Sequence, residues 1–100
     1  MSARTAPALA KIDALIPLLT ALPASAGRAT LVDAAEALRR AVAAFHMEAI
    51  RFRMHSVDRG LTLSGNDPAL RQLFDDVRQA LETAGFHTRS HAAPPVIPKT

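Results

Sequence analysis

Apolar residues recur at helical spacing in three segments of this chain, and the longest segment runs from Leu31 to Arg59. Its inward-facing positions follow one another at intervals of four and three residues: Leu31, Ala35, Leu38, Val42, Phe45, Ala49, Phe52 and Ser56. This spacing is typical of a helix that packs lengthwise against neighbouring helices. The pattern predicts one central helix of about 29 residues, which is about 43 Å long at a rise of 1.5 Å per residue.

Residues that favour helix ends bound two of the predicted helices. Thr30 suits the N-cap of the central helix, and Gly60 suits the left-handed position that follows a helix. Asp67 with Pro68 predicts the start of the next helix, and Gly85 predicts its end. That helix carries a one-sided apolar stripe made of Leu70, Leu73, Phe74, Val77 and Leu81.

A first helix precedes the central one, and a segment without periodicity follows the last. Apolar residues between Ala8 and Leu22 form a stripe, but Pro17 lies within it and predicts a kink or break near residues 13–16. Three prolines predict a flexible tail over residues 87–100. The expected fold is all-α, a three-helix antiparallel arrangement of a short kinked helix, a long central helix and a medium helix, in one domain over residues 1–86.

A second apolar stripe occupies the C-terminal half of the predicted central helix. It consists of four residues at intervals of three and four: Met47, Ile50, Met54 and Val57. At 100° per residue, this stripe points away from Phe45 and Phe52. Either the two shorter helices cover both stripes in a monomer, or the second stripe binds another copy or a different protein, a role for which methionines are well suited.

Polar residues line one flank of the same helix at intervals of three and four: Glu48, Arg51, His55 and Asp58. They form the best candidate for a polar site, and the alternative interpretation is a network of charges between helices. No nucleophile beside a base and no glycine-rich phosphate loop accompanies them. The sequence therefore offers no positive indication of an enzyme and predicts no catalytic residue.

The sequence predicts neither a metal nor a cofactor. There is no cysteine, which excludes disulfides and thiolate metal ligands. His46 beside Met47 and His55 beside Met54 offer imidazole and thioether groups of the kind that bind copper or haem. On one helix, however, the two methionines lie about 10 Å apart and the two histidines project to opposite sides, so one ion cannot gather all four groups.

Charge and helix order favour one alternative class of protein. The formal charge is +3, although nine acidic residues accompany the twelve basic ones and no tyrosine or tryptophan is present to stack on bases. The short-long-short helix order resembles the histone fold over residues 34–70. Arg59, Thr62 and Asp67 fall near that fold's loop arginine, threonine and acid, with an arginine-to-threonine spacing that departs from the histone pattern. The resemblance implies a DNA-binding architectural protein. Separately from it, the basic residues that could contact nucleic acid are Arg28, Arg39, Arg40, Arg51, Arg53 and Arg59.

The favoured hypothesis is a small helical interaction or regulatory protein that forms a homodimer or binds a protein partner through its central helix. A basic DNA-binding protein is the first alternative, and a helical enzyme with a site across a dimer is the second. No stretch approaches the roughly 20 apolar residues that span a bilayer, so we expect no membrane partner and a cytoplasmic location.

Overall fold

The computed structural model describes residues 4–86, which form four α-helices. Their bounds are α1 Ala6–Thr20, α2 Ala26–Ala43, α3 Met47–Leu63 and α4 Pro68–Thr83. The all-α class is therefore confirmed for this part of the chain, whereas the predicted number of three helices is wrong. The predicted tail over residues 87–100 lies outside the described residues.

The helices are arranged so that α1 lies between α4 and α2, and α2 packs along α3. The order across the bundle is therefore α4, α1, α2, α3. The first and last helices in this order, α4 and α3, approach each other closely at few points. One connected cluster of buried apolar side chains from all four helices forms the core, and Ile12, Leu38, Met54 and Phe74 are among its largest members.

The predicted central helix is wrong because the chain reverses direction at residues 44–46. Two bonds close the end of α2, in which the amide of Phe45 donates to the carbonyl of Val42 and the amide of His46 donates to that of Ala41. This pair of bonds is the Schellman ending of a helix. The residue that it places in the left-handed region is Phe45, with φ of 59°. The chain then starts α3, so residues 26–63 form a helical hairpin.

Tertiary contacts accompany this left-handed phenylalanine. A non-glycine residue in the left-handed region costs about 1–2 kcal/mol, and glycine normally occupies this position. The Phe45 ring meets the Phe86 ring edge-on at 5.5 Å between centroids, and the Arg4 guanidinium lies 5.7 Å from the Phe45 centroid. These contacts come from the two ends of the described chain and offset part of the cost of the turn.

The reversal changes which side of the helix is buried. In α2 the predicted seam is correct, since Leu31, Ala35, Leu38 and Val42 are all buried. Beyond the turn the seam is wrong, because Phe52 is exposed and the buried positions of α3 are Ile50, Met54, Val57 and Leu61. The second apolar stripe of the sequence is thus the inner face of a separate helix.

Several predicted helix ends also move. Ser25, rather than Thr30, is the N-cap of α2, and its side chain accepts a hydrogen bond from the amide of Arg28 at 3.0 Å. Helix α3 continues through Gly60 to Leu63. A Cβ at Gly60 would lie 2.7 Å from Cδ1 of the buried Leu31, so this glycine serves the close approach of α2 and α3.

The predicted bounds of the last helix are confirmed. The Asp67 side chain caps α4 by accepting from the amides of Ala69 and Leu70, Pro68 follows at the first position, and Gly85 adopts φ of 100° after the end. The first helix, in contrast, runs from Ala6 to Thr20 without a break at the internal proline. Local signals therefore sufficed for α4 but not for α1.

His46 caps α3 through its imidazole, which accepts a hydrogen bond at Nδ1 from the amide of Ala49 at 3.2 Å. We predict that His46→Ala lowers the free energy of unfolding by about 1 kcal/mol, because this amide loses its acceptor. His46→Asn, which restores an oxygen acceptor, should retain most of the stability. Urea denaturation followed by circular dichroism measures both, and equal losses in the two variants would contradict a capping role.

Arg39 of α2 holds Asp13 of α1 through two hydrogen bonds, Nε to Oδ1 at 2.6 Å and NH2 to Oδ2 at 3.3 Å. These bonds lower the pKa of the Asp13 carboxyl below its ordinary value. A lowered pKa in the folded state means that the pair stabilises the fold above the ordinary carboxyl pKa and ceases to do so as the pH falls through the lowered value.

We predict that Arg39→Gln raises the pKa of Asp13 back toward its ordinary value and removes this acid dependence. Carbon-detected NMR titration of the carboxyl measures the pKa directly, with Arg40→Gln as a control on the same helix. An Asp13 pKa that does not change in Arg39→Gln would show that another group holds the carboxyl.

Candidate interaction site

The structure places most of the predicted docking stripe inside the protein. Ile50, Met54 and Val57 are completely buried, and Met47 is half-buried against the same core. The hairpin turns this face of α3 toward the core that the four helices share. A partner cannot reach the three buried side chains in the folded chain. The stripe that was expected to be an exposed docking surface is therefore part of the core.

The predicted polar site is divided between two surfaces, because Asp58 contacts α4 whereas His55 lies with Phe52 on the outer side of the hairpin. Glu48 is exposed in the first turn of α3, while Arg51, His55 and Asp58 are partly buried. Asp58 is bound by Arg71 of α4, which donates to both its carboxylate and its backbone carbonyl. At this end the residues therefore form a charge network between two helices.

Arg71 is the main polar link between α3 and α4. Besides binding Asp58, it donates to Oγ1 of Thr62 and to Oδ1 of Asn66, each at 3.0 Å. Its guanidinium also lies 5.8 Å from the centroid of the buried Phe74 ring. The Arg71 side chain thus links the start of α4 to the end of α3 and to the connection between the two helices.

An apolar groove of about 360 Å³ lies on the outer side of the hairpin, between α2 and α3. Leu31 is buried at its base, and the small residues Ala34 and Gly60 leave it open. Phe52 and Leu63 of α3 line the groove and are largely exposed. We call this groove with its two exposed side chains the hairpin groove.

The sequence did not reveal the hairpin groove because Phe52 was expected in the core seam and Leu63 lies beyond the predicted end of the central helix. The missed signal was the presence of two apolar stripes on one helix. A helix at the edge of a small bundle can bury only one of two opposed faces, so one stripe had to be exposed. The exposed stripe is the one that contains Phe52.

Charged residues of both signs surround the hairpin groove. A polar depression beside it is lined by Asp33, Glu36 and Arg40 of α2 and by Arg53 of α3. The guanidinium of Arg53 also lies 4.9 Å from the centroid of the Phe52 ring, a distance at which a cation and an aromatic face attract each other. The border of the groove is therefore mixed in charge rather than uniformly basic.

Two of the arginines of the predicted DNA contact surface are held by hydrogen bonds within the fold. Arg39 binds Asp13, and Arg28 donates to the carbonyls of Thr20 and Leu22 at 3.1 Å each. The short-long-short helix order is also wrong, because the long helix is two helices folded on each other. The order expected from the resemblance to the histone fold is therefore absent from the described residues.

Comparisons with family models, curated proteins and solved structures found no match for this chain. Within residues 4–86, no group of three or more histidine or acidic side chains is placed to hold a metal ion. No helix of this region is long and apolar enough to cross a membrane.

The two stripes of α3 should respond differently to truncation. Met54→Ala removes a completely buried side chain, and we predict that it lowers the free energy of unfolding by about 2–5 kcal/mol. Phe52→Ala removes an exposed ring, and its cost should stay below about 1 kcal/mol. Urea denaturation at low protein concentration measures both, and similar losses would contradict the described orientation of α3.

Proposed function

We propose that this protein is a small helical interaction protein that forms a homodimer through the hairpin groove. The observation that carries the proposal is the exposure of two large apolar side chains at one groove, 48% for Phe52 and 77% for Leu63. Complete burial of such side chains is worth about 1.5–3 kcal/mol each. A cluster of exposed apolar residues bordered by polar ones is typical of a protein-binding surface.

A second copy of the chain fits this surface because the surface is self-complementary. Each copy offers both an apolar groove and apolar side chains at its edge, so Phe52 and Leu63 of one copy can enter the groove of the other. A twofold arrangement makes both insertions at once. This reciprocity is the usual property of a homodimer interface and needs no further partner.

The charges around the hairpin groove agree with the same symmetry. With the twofold axis parallel to the helices, α2 of one copy lies over α3 of the other. In this arrangement the acidic residues Asp33 and Glu36 of one copy lie close to Arg53 and Arg59 of the second copy. Exposed ion pairs add little affinity, but they favour this orientation over ones that place like charges together.

We predict that the protein shows a concentration-dependent shift from monomer to dimer in sedimentation velocity. Phe52→Ser with Leu63→Ser should weaken the dimer by at least about a hundredfold, because each substitution removes an apolar contact from both copies. The matched control is Leu18→Ser on α1, which removes an apolar residue of similar exposure, 45%, that does not line the groove. The control should dimerise like the unchanged protein.

Two results would contradict the proposed function. One is a monomer at every concentration up to the millimolar range. The other is a dimer that survives the double substitution in α3 or that is lost in Leu18→Ser. Circular dichroism of each variant separates loss of association from loss of folding.

A further inference from the structure

The gap between α3 and α4 is closed at its two ends and contains charged residues in between. At one end Arg71 binds Asp58, Thr62 and Asn66. At the other end the ring of Phe45, just before α3, contacts the ring of Phe86, just after α4. The two helices therefore run antiparallel along each other, although their backbones approach closely at few points.

The register of the two helices places two arginines opposite each other. Asp58 of α3 lies opposite Arg71 of α4, as their ion pair shows. Arg51 precedes Asp58 by seven residues, and Arg78 follows Arg71 by seven residues. Because the helices are antiparallel, both steps lead in the same direction, by two turns or about 10.5 Å. Arg51 and Arg78 thus reach the same level of the gap.

Neither guanidinium is fully satisfied by the residues that the structure describes. The Nε atoms of both arginines are buried and have no hydrogen-bond partner there. Arg51 has no ion pair among residues 4–86, and Arg78 has a long one, 3.8 Å from NH1 to Oδ1 of Asp75. The Phe74 ring, 5.0 Å from the Arg78 guanidinium, supplies no acceptor oxygen. The long contact with Asp75 leaves both buried Nε–H groups without an acceptor, and a buried donor without a partner lowers stability.

We propose that Arg51 and Arg78 form a binding site for one oxyanion group, a carboxylate or a phosphate, of a small ligand held between α3 and α4. Two guanidinium groups offer several donors in planar forks, which match the oxygens of such a group, and the bound charge removes their repulsion. Glu48, Asp75 and Glu82 lie within one turn of these arginines and favour a ligand with a single anionic group over a polyanion. The site does not depend on the proposed dimer.

The test is an NMR titration that observes the Nε–H signals of the arginine side chains in the full-length protein. Sodium acetate and sodium phosphate are the two probes, and sodium chloride at equal ionic strength is the reference. We expect saturable shifts of the Arg51 and Arg78 signals. The signal of Arg40 on the outer face should shift no more with either probe than it does with sodium chloride. Saturation by acetate alone identifies a carboxylate site, by phosphate alone a phosphate site, and by both a general oxyanion site. Shifts no larger than those with chloride would overturn the proposal.

Substitutions then separate binding from a structural role. Arg51→Gln and Arg78→Gln should each weaken binding of the effective probe by about tenfold or more, whereas Arg40→Gln should leave it unchanged. Arg51→Lys keeps the charge without the planar fork and should also weaken binding. In anion-free buffer, Arg51→Met should leave the free energy of unfolding unchanged or raise it, since an unpaired cation is removed. A clear fall in stability would assign Arg51 a structural role and overturn the proposal.

Discussion

The left-handed turn at Phe45 is the feature on which the rest of this structure depends. It ends α2 by a Schellman pair of bonds and allows His46 to start α3 at once. Without it, residues 26–63 would form one helix too long to be covered by α1 and α4. With it, the chain folds back, and the two halves bury their apolar faces against each other. The fourth helix and the shared core follow from this reversal.

The orientation that the turn gives to α3 also determines both proposed sites. Ile50, Met54 and Val57 face the core, so Phe52 and Leu63 are left on the outer side of the hairpin with the groove beside them. The face toward α4 carries the charged residues instead. A single helix thus separates the apolar surface that we propose for a second copy from the polar gap that we propose for an anion.

The polar residues between α3 and α4 differ in whether they have hydrogen-bond or ion-pair partners, although they follow one another at regular helical spacing in the sequence. Asp58 has a partner in Arg71, and that pair links the two helices where they are joined by a short connection. Arg51, two turns away, has a buried Nε atom without a hydrogen-bond partner among the described residues. Spacing on one helix places these groups on one face, but only the residue across the gap decides whether a charge is structural or available to a ligand.

The sequence by itself determined the all-α class, the seam of α2 and the bounds of α4, because capping residues, glycine and helical periodicity act within a few residues. It could not reveal the turn at Phe45, since residues 31–59 contain neither glycine nor proline and the contacts that favour the turn come from Arg4 and Phe86. Tertiary structure therefore decided which stripe of α3 is buried, which apolar residues stay exposed, and which charges are paired. These outcomes depend on contacts between residues far apart in the chain, which local patterns do not encode.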